Sequence, residues 1–188
     1  MRDKQKLFRA ITFASERHAG QFRKGVEVPY IIHPLRVSER LIKMGCSEEL
    51  AVAAVLHDVV EDTSTTLDHI RSRFGDYVAN LVAGVSEADK SLSWQERKEH
   101  TITYLQEASA DELILSMADK LDNLNSIKQD LEYFGDHIWD RLNNTKDAQQ
   151  WYYRSLLEIY RGHPDIQSLS MFREYERLVE EVFDTVYK

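Results

Sequence analysis

An all-α fold, a single helical bundle of about eight to ten helices, follows from three features of the sequence. Apolar residues recur at steps of three and four over most of the chain, the period of a helix that buries one face. The 188 residues include only seven Gly and three Pro, too few for the frequent turns of a β-sandwich or barrel. One segment, 47–60, is apolar on nearly every side and predicts a helix at the centre of the core. A chain of this length has room for one sizeable core. That predicts a single domain over residues 1–188, with its motifs within about 10–160 and a C-terminal helix over about 165–186.

The elements follow in chain order. Leu7, Ile11, Ala14 and His18 mark one face of a first helix. Residues 23–30, RKGVEVPY, read as an irregular connection. Pro34 suits the first turn of a second helix, where a missing N–H costs nothing, and Gly45 closes it. Ser47 caps the next helix, which runs through Leu50, Val55, Leu56 and Val60. Further breaks fall around Asp89–Ser93, Tyr133–Gly135 and Gly162–Pro164. Between the last three lie a second apolar helix, through Leu113, Leu115, Met117, Leu121 and Leu124, and the aromatic run Trp151, Tyr152 and Tyr153. Three consecutive aromatics cannot share one helix face, so one or two pack in the core. The stripe Met171, Tyr175, Leu178, Val182 and Val186 reads as core packing, or as a dimer helix.

Composition narrows the function. Hydrophobic residues at 43% and charged residues at 30% fit a soluble globular protein rather than a disordered one. Twenty-four basic against 32 acidic residues give a net charge of −8, which disfavours nucleic acid as a partner. The single cysteine, Cys46, excludes a disulfide framework and a Cys-rich zinc site within the chain, and fits a reducing cytoplasm. The N-terminus lacks the apolar core of a signal peptide, and no stretch is long enough for a membrane-spanning helix.

The chemistry concentrates in HDVVED. His57, Asp58, Glu61 and Asp62 stand at steps of three and four, which places them on neighbouring stripes of one helix. Three carboxylates in one turn repel each other, and the negative end of the helix dipole disfavours them further. A divalent cation resolves both problems. His33 and Asp119 complete a mixed set of nitrogen and oxygen ligands with His57 and Asp58. Such a set suits Mn, Fe or Zn, and its carboxylates lean it towards Mn2+. Glu61 and Asp62 then remain for proton transfer. Asn123 and Ser126 follow Asp119 along its helical stripe. Taken singly, Asp119 reads equally as a buried ion-pairing acid, His33 as a packed structural histidine, and Arg23 and Lys24 as a solvated loop pair. Only their combination points to a site. His18, His69, His100, His137 and His163 read as structural or surface residues.

The motifs also resemble a known family. HAGQFRKGVEVPYIIHPLRV, LHDVVEDT, FGDYVANLVAGVSEADK and ADKLDNLNSI, in that order over about residues 10–130, are similar to the HD-type hydrolase domain of RelA/SpoT alarmone enzymes. They are most similar to its standalone small branch. The resemblance implies removal of the 3′-pyrophosphate from ppGpp or pppGpp, with His33, His57, Asp58 and Asp119 on one Mn2+. It implies that Glu61 and Asp62 manage the attacking water. It further implies that Arg23 and Lys24 face the nucleotide, Asn123 and Ser126 lie towards ribose and base, Lys98 contacts phosphate, and Tyr152 walls the base. No segment resembles the nucleotidyl-transferase half of the long enzymes, so the expected direction is degradation. The chain departs from the family at GVEV, one residue longer than in the long enzymes, and at Asp122, where His or Tyr is usual. The expected partner is the small nucleotide, with no nucleic acid and no membrane, on a cytoplasmic monomer or homodimer. Two other readings compete. One is an HD hydrolase of another nucleotide, such as the 2′-phosphate of NADPH. The other is a non-catalytic nucleotide-binding or antitoxin-like module.

Overall fold

The computed structural model describes residues 4–87, 90–142 and 144–185. Among them are twelve α-helical segments and one 3-10 turn, and the only extended pairing is an isolated bridge between Phe22 and Pro29. Three of the twelve segments are single turns. The fold is all-α, as its apolar period predicts. No described helix is long and apolar enough to cross a membrane. The chain forms two compact units, residues 1–104 and 105–188.

The first unit is built round α3 (Glu48–Leu56). Every residue from Leu50 to Leu56 is buried, so the helix has no solvent face. The helices α1 (Lys4–Arg17), α2 (Ile32–Lys43) and α6 (Asp76–Val85) pack against it. Ser47 Oγ accepts from the Leu50 N–H at 3.2 Å and starts α3. Gly45, at φ +78°, makes the turn between α2 and α3 in a backbone conformation that other residues rarely adopt. Beyond α3 come the single turn α4 (Val59–Asp62), α5 (Leu67–Phe74) and α7 (Trp94–Leu105), with α5 against α6. Asp89, taken as the start of an irregular stretch, lies outside the described residues. Ser93 at the end of that stretch caps α7, exchanging bonds with Glu96.

In the second unit, α8 (Ala110–Phe134) is the long element. The structure then continues through a 3-10 turn (Gly135–His137), α9 (Ile138–Arg141), α10 (Lys146–Arg161), α11 (Pro164–Gln167) and α12 (Ser170–Asp184). Both α8 and α10 pack on α12. Met171, Tyr175, Leu178 and Val182 are buried, which settles the C-terminal stripe as core; Val186 lies outside the described residues. Tyr160 Oη and Ser116 Oγ are 2.9 Å apart, and the Tyr160 ring meets Tyr175 edge-on at 5.1 Å. Burial pushes the Tyr160 phenol far above its ordinary range, so it stays neutral. Of the three consecutive aromatics, Tyr152 and Tyr153 are buried and Trp151 is exposed.

A capping box begins α8. Ser109 Oγ accepts from the Glu112 N–H, and the Glu112 carboxylate accepts from the Ser109 N–H at 2.8 Å. Loss of such a cap costs about 1 kcal/mol. Ser109→Ala is therefore expected to lower the apparent Tm by about 2–4 °C; a thermal melt that does not move would mean that the start of α8 is held by packing alone.

Candidate functional site

The site forms where α3 stops. The expectation of one helix running through HDVVED is corrected: α3 ends at Leu56, and His57 and Asp58 form a turn before α4. Asp58 sits at φ −93°, ψ −8°, at the edge of the helical region towards the bridge conformations of turns. The Asp62 N–H donates to the Asp58 carbonyl at 2.9 Å across the turn of α4. The Ser86 hydroxyl at the end of α6 lies 3.2 Å from the His57 carbonyl and 2.7 Å from that of Val82. The four groups of the motif therefore do not share one helix stripe. The break sends His57 and Asp58 to one place, and Glu61 and Asp62 to other partners.

His33 joins His57 and Asp58. It lies inside the first turn of α2 rather than ahead of it, since α2 starts at Ile32. Pro34 still falls within the turn whose amides have no helical partner. Both imidazoles are 2% exposed. His57 Nε2 is 3.1 Å and His33 Nε2 3.6 Å from the same atom, Asp58 Oδ2. One ligand atom from each residue lies within 4.8 Å of the others.

The tautomer of His57 follows from its second nitrogen. Nδ1 lies 2.8 Å from the Ala54 carbonyl. A carbonyl only accepts, so Nδ1 carries the proton. In the neutral ring, Nε2 then presents a lone pair towards a carboxylate oxygen, an arrangement that a cation between them makes favourable. With ligand bonds of about 2.1 Å, adjacent ligands on one ion stand about 3.0–3.4 Å apart. The His57 separation of 3.1 Å falls within that range, and the His33 separation of 3.6 Å lies just above it. The three side chains fit a divalent metal.

The two other acids of the motif are held differently. Glu61 Oε2 accepts from the Glu87 N–H at 3.2 Å. Burial, and after it the Asp58 charge, push the Glu61 carboxyl above the usual carboxylate range. Asp62 pairs with Lys90 at 2.8 Å. Glu87 in turn holds Lys98 and, at 2.9 Å, Arg97.

Arg23 belongs to a hairpin-like turn, more ordered than the irregular connection expected for 23–30. Its N–H donates to the Val28 carbonyl at 2.8 Å, and Gly25 turns the chain at φ +79°. The Arg23 guanidinium lies 5.8 Å from the Tyr30 ring centre, and Lys24 is exposed.

The second unit carries the remaining candidates. Asp119 is buried on α8. Its oxygens accept from Asn123 Nδ2 at 2.8 Å and from Lys120 Nζ at 2.5 Å. Ser126 Oγ donates to the Asp122 carbonyl at 2.9 Å. Tyr152, on α10, meets the Tyr153 ring edge-on at 5.6 Å.

Sequence reasoning missed Tyr30 and Gln21. The Tyr30 hydroxyl donates to Asp58 Oδ2 at 2.6 Å, and Gln21 Nε2 donates to the Asp62 carbonyl at 3.0 Å. The available signal was position: both stand in the block HAGQFRKGVEVPYIIHPLRV that also holds His33, but neither is a metal-ligand type.

The chain that brings two buried histidines and a part-buried carboxylate together at this break matches the profile of the HD domain family over residues 10–149. The chain belongs to the HD domain family. It is 41% identical over 126 residues to the guanosine-3′,5′-bis(diphosphate) 3′-pyrophosphohydrolase MESH1 of Xenopus tropicalis, covering 65% of this chain and 70% of that one. It is 40% identical over 125 residues to the Aquifex aeolicus enzyme named guanosine-3′,5′-bis(diphosphate) 3′-pyrophosphohydrolase. That match covers 65% of this chain, which spans only 18% of the length of that relative. The fold is also that of a solved metazoan ortholog of SpoT described as hydrolysing ppGpp, with a TM-score of 0.75, 27% identity and 94% of each chain covered.

Proposed function

We propose that this protein is a metal-dependent phosphohydrolase that removes the 3′-pyrophosphate from ppGpp or pppGpp, leaving GDP or GTP and pyrophosphate. The observation that carries it is the convergence of His33, His57 and Asp58 on one point, in a chain whose relatives bear that activity in their names.

His33, His57, Asp58 and Asp119 would hold one divalent ion, with Mn2+ favoured by the two carboxylates. The ion supplies charge neutralisation and activation of water. Glu61 takes a proton from the attacking water, and its raised pKa brings it closer to the pH at which a base works well. The water oxygen bonds to the phosphorus next to the ribose 3′-oxygen. The bond from that phosphorus to the 3′-oxygen breaks, and the 3′-oxygen takes up a proton, which Asp62 passes on in this reading. Arg23 and Lys24 face the nucleotide, with the Arg23 plane on the base. Asn123 and Ser126 lie towards the ribose and base, and Tyr152 lines the base side. Lys98 meets a phosphate, for which it exchanges its bond to Glu87. These cations matter because a chain of net charge −8 otherwise repels a highly anionic substrate. Residues 1–188 act as a single domain in this reading. The partner is the nucleotide, and the setting is the cytoplasm.

The test is turnover of the purified chain with added Mn2+ on ppGpp, with NADPH and deoxynucleoside triphosphates in parallel. GDP and pyrophosphate should appear in equal amounts, stop with EDTA and return with excess Mn2+. Turnover of another nucleotide with none on ppGpp would discard the substrate and keep the metal site.

A further inference from the structure

Two hydrogen bonds run from the segment ahead of α2 to α4, one to each end. Tyr30 Oη donates to Asp58 Oδ2 at 2.6 Å, and Gln21 Nε2 donates to the Asp62 carbonyl at 3.0 Å. Both donors are fixed from behind. The Tyr30 N–H donates to the Gln21 carbonyl at 2.9 Å. The Tyr30 ring lies 4.9 Å from that of His18 and meets His33 edge-on at 6.0 Å. Gln21 Oε1 lies 2.7 Å from His18 Nδ1.

The orientation of this chain of groups is determined. The Asp62 carbonyl only accepts, so the Gln21 nitrogen faces Asp62 and the Gln21 oxygen faces His18. His18 therefore carries its proton on Nδ1. Its other nitrogen, Nε2, is buried with no hydrogen-bond partner among the described residues. A buried polar atom without a partner lowers stability, so the contribution of His18 is the direction it gives to Gln21.

The short helix needs this support. An isolated single turn of helix does not hold itself in water. The Asp58 carboxylate is also free to swing about a broad terminal torsion unless something holds it. Tyr30 binds Oδ2, the oxygen that faces both histidines.

We propose that Tyr30 and Gln21 are positioning residues, and that segment 18–30 braces α4 at both ends. Tyr30 aims the Asp58 ligand atom, and Gln21, directed by His18, sets the backbone from which Asp62 projects. The same tyrosine ring carries Arg23 at 5.8 Å, so the proposed nucleotide arm and the metal site share one support. The Tyr30 half rests only on metal binding; the Gln21 half rests also on the hydrolysis proposed above.

The experiment titrates Mn2+ into the metal-free 188-residue chain and follows free Mn2+ by EPR, then measures ppGpp turnover at saturating Mn2+. Tyr30→Phe keeps the ring and removes the hydroxyl. Its Mn2+ affinity should fall about 10-fold, as for loss of an outer-shell partner. Gln21→Met should bind Mn2+ within about twofold of the parent but lose about 10-fold in kcat with little change in KM, the pattern of misplaced chemistry rather than lost binding. Gln21→Glu still accepts from His18 but cannot donate to Asp62, and should reproduce that kcat loss even where Gln21→Met lowers the Tm. Unchanged Mn2+ affinity in Tyr30→Phe overturns the role of Tyr30. Unchanged kcat in Gln21→Glu overturns that of Gln21, and a parent chain that binds Mn2+ but turns over no ppGpp removes the Gln21 half while leaving the Tyr30 result decisive.

Discussion

Glu61→Gln is expected to abolish turnover while leaving the metal in place. Glutamine keeps the length of the side chain, and its carbonyl can still accept from the Glu87 N–H that Glu61 Oε2 now holds at 3.2 Å. It cannot take a proton. Loss of a general base costs about 10²–10⁴-fold, and the loss should appear in kcat with unchanged Mn2+ stoichiometry. The same variant should make the metal-free protein more stable near neutral pH. Burial, and then Asp58, raise the Glu61 pKa in the fold. A carboxyl with a raised folded pKa favours folding below its unfolded value, about 4.3, and that contribution disappears as pH rises through the folded value. The Tm gain from Glu61→Gln should therefore vanish in acid and grow on the way to neutrality. Near-normal turnover in this variant would remove Glu61 as the base.

Asp58→Ala and Asp119→Ala should each abolish activity and lower metal content. Asp58 supplies the oxygen that faces both histidines. Its loss should weaken Mn2+ binding by more than the roughly 100-fold seen for outer-shell partners. A heat melt offers a second readout. At Mn2+ about 100-fold above the dissociation constant, binding stabilises the parent by about 2.7 kcal/mol, or about 5–11 °C for a chain of this size. Both variants should lose that Mn2+-induced shift. Asp119→Ala also removes the acceptor of Lys120 and Asn123, so its metal-free Tm should fall as well. The baseline and the Mn2+-dependent shift thus separate stability from ligation. Stoichiometric Mn2+ in both variants would remove these acids as ligands.

Much of the fold was legible because its signals are local. Ser47 caps α3 as its side chain predicts, Gly45 turns the chain after α2, and the burial of Leu50–Leu56 follows from the absence of any polar face. The break at His57–Asp58 was not legible. Helical period continues through HDVVED, and the sequence has no Gly or Pro there to mark a stop. What ends α3 is tertiary: His57 bonds back to Ala54, Tyr30 takes Asp58, and Ser86 approaches the His57 carbonyl. None of these groups is near in sequence except Ala54.

The same distinction divides the site. His33, His57 and Asp58 were readable from residue type, since few other side chains bind a metal. Tyr30 and Gln21 were not, because each acts through a hydrogen bond whose acceptor lies 28 or 41 residues away. A tyrosine before a histidine carries no such information by itself. The ordered turn of 23–30 was hidden for a related reason: its backbone bonds, such as Arg23 to Val28, depend on Gly25 adopting a positive φ inside an otherwise unpatterned stretch.

The helix without a solvent face has a kinetic consequence. Buried on all sides from Leu50 to Leu56, α3 cannot fray into water without uncovering its neighbours. Its amide protons should exchange with deuterium only when the whole first unit opens, and so more slowly than those of α4 or the 18–30 segment. His57 and Asp58 thus follow directly on the part of that unit expected to exchange most slowly, whereas Glu61 and Asp62 stand one turn further on, on α4. The two proposed metal ligands should therefore keep their register through local openings that reach Glu61 and Asp62.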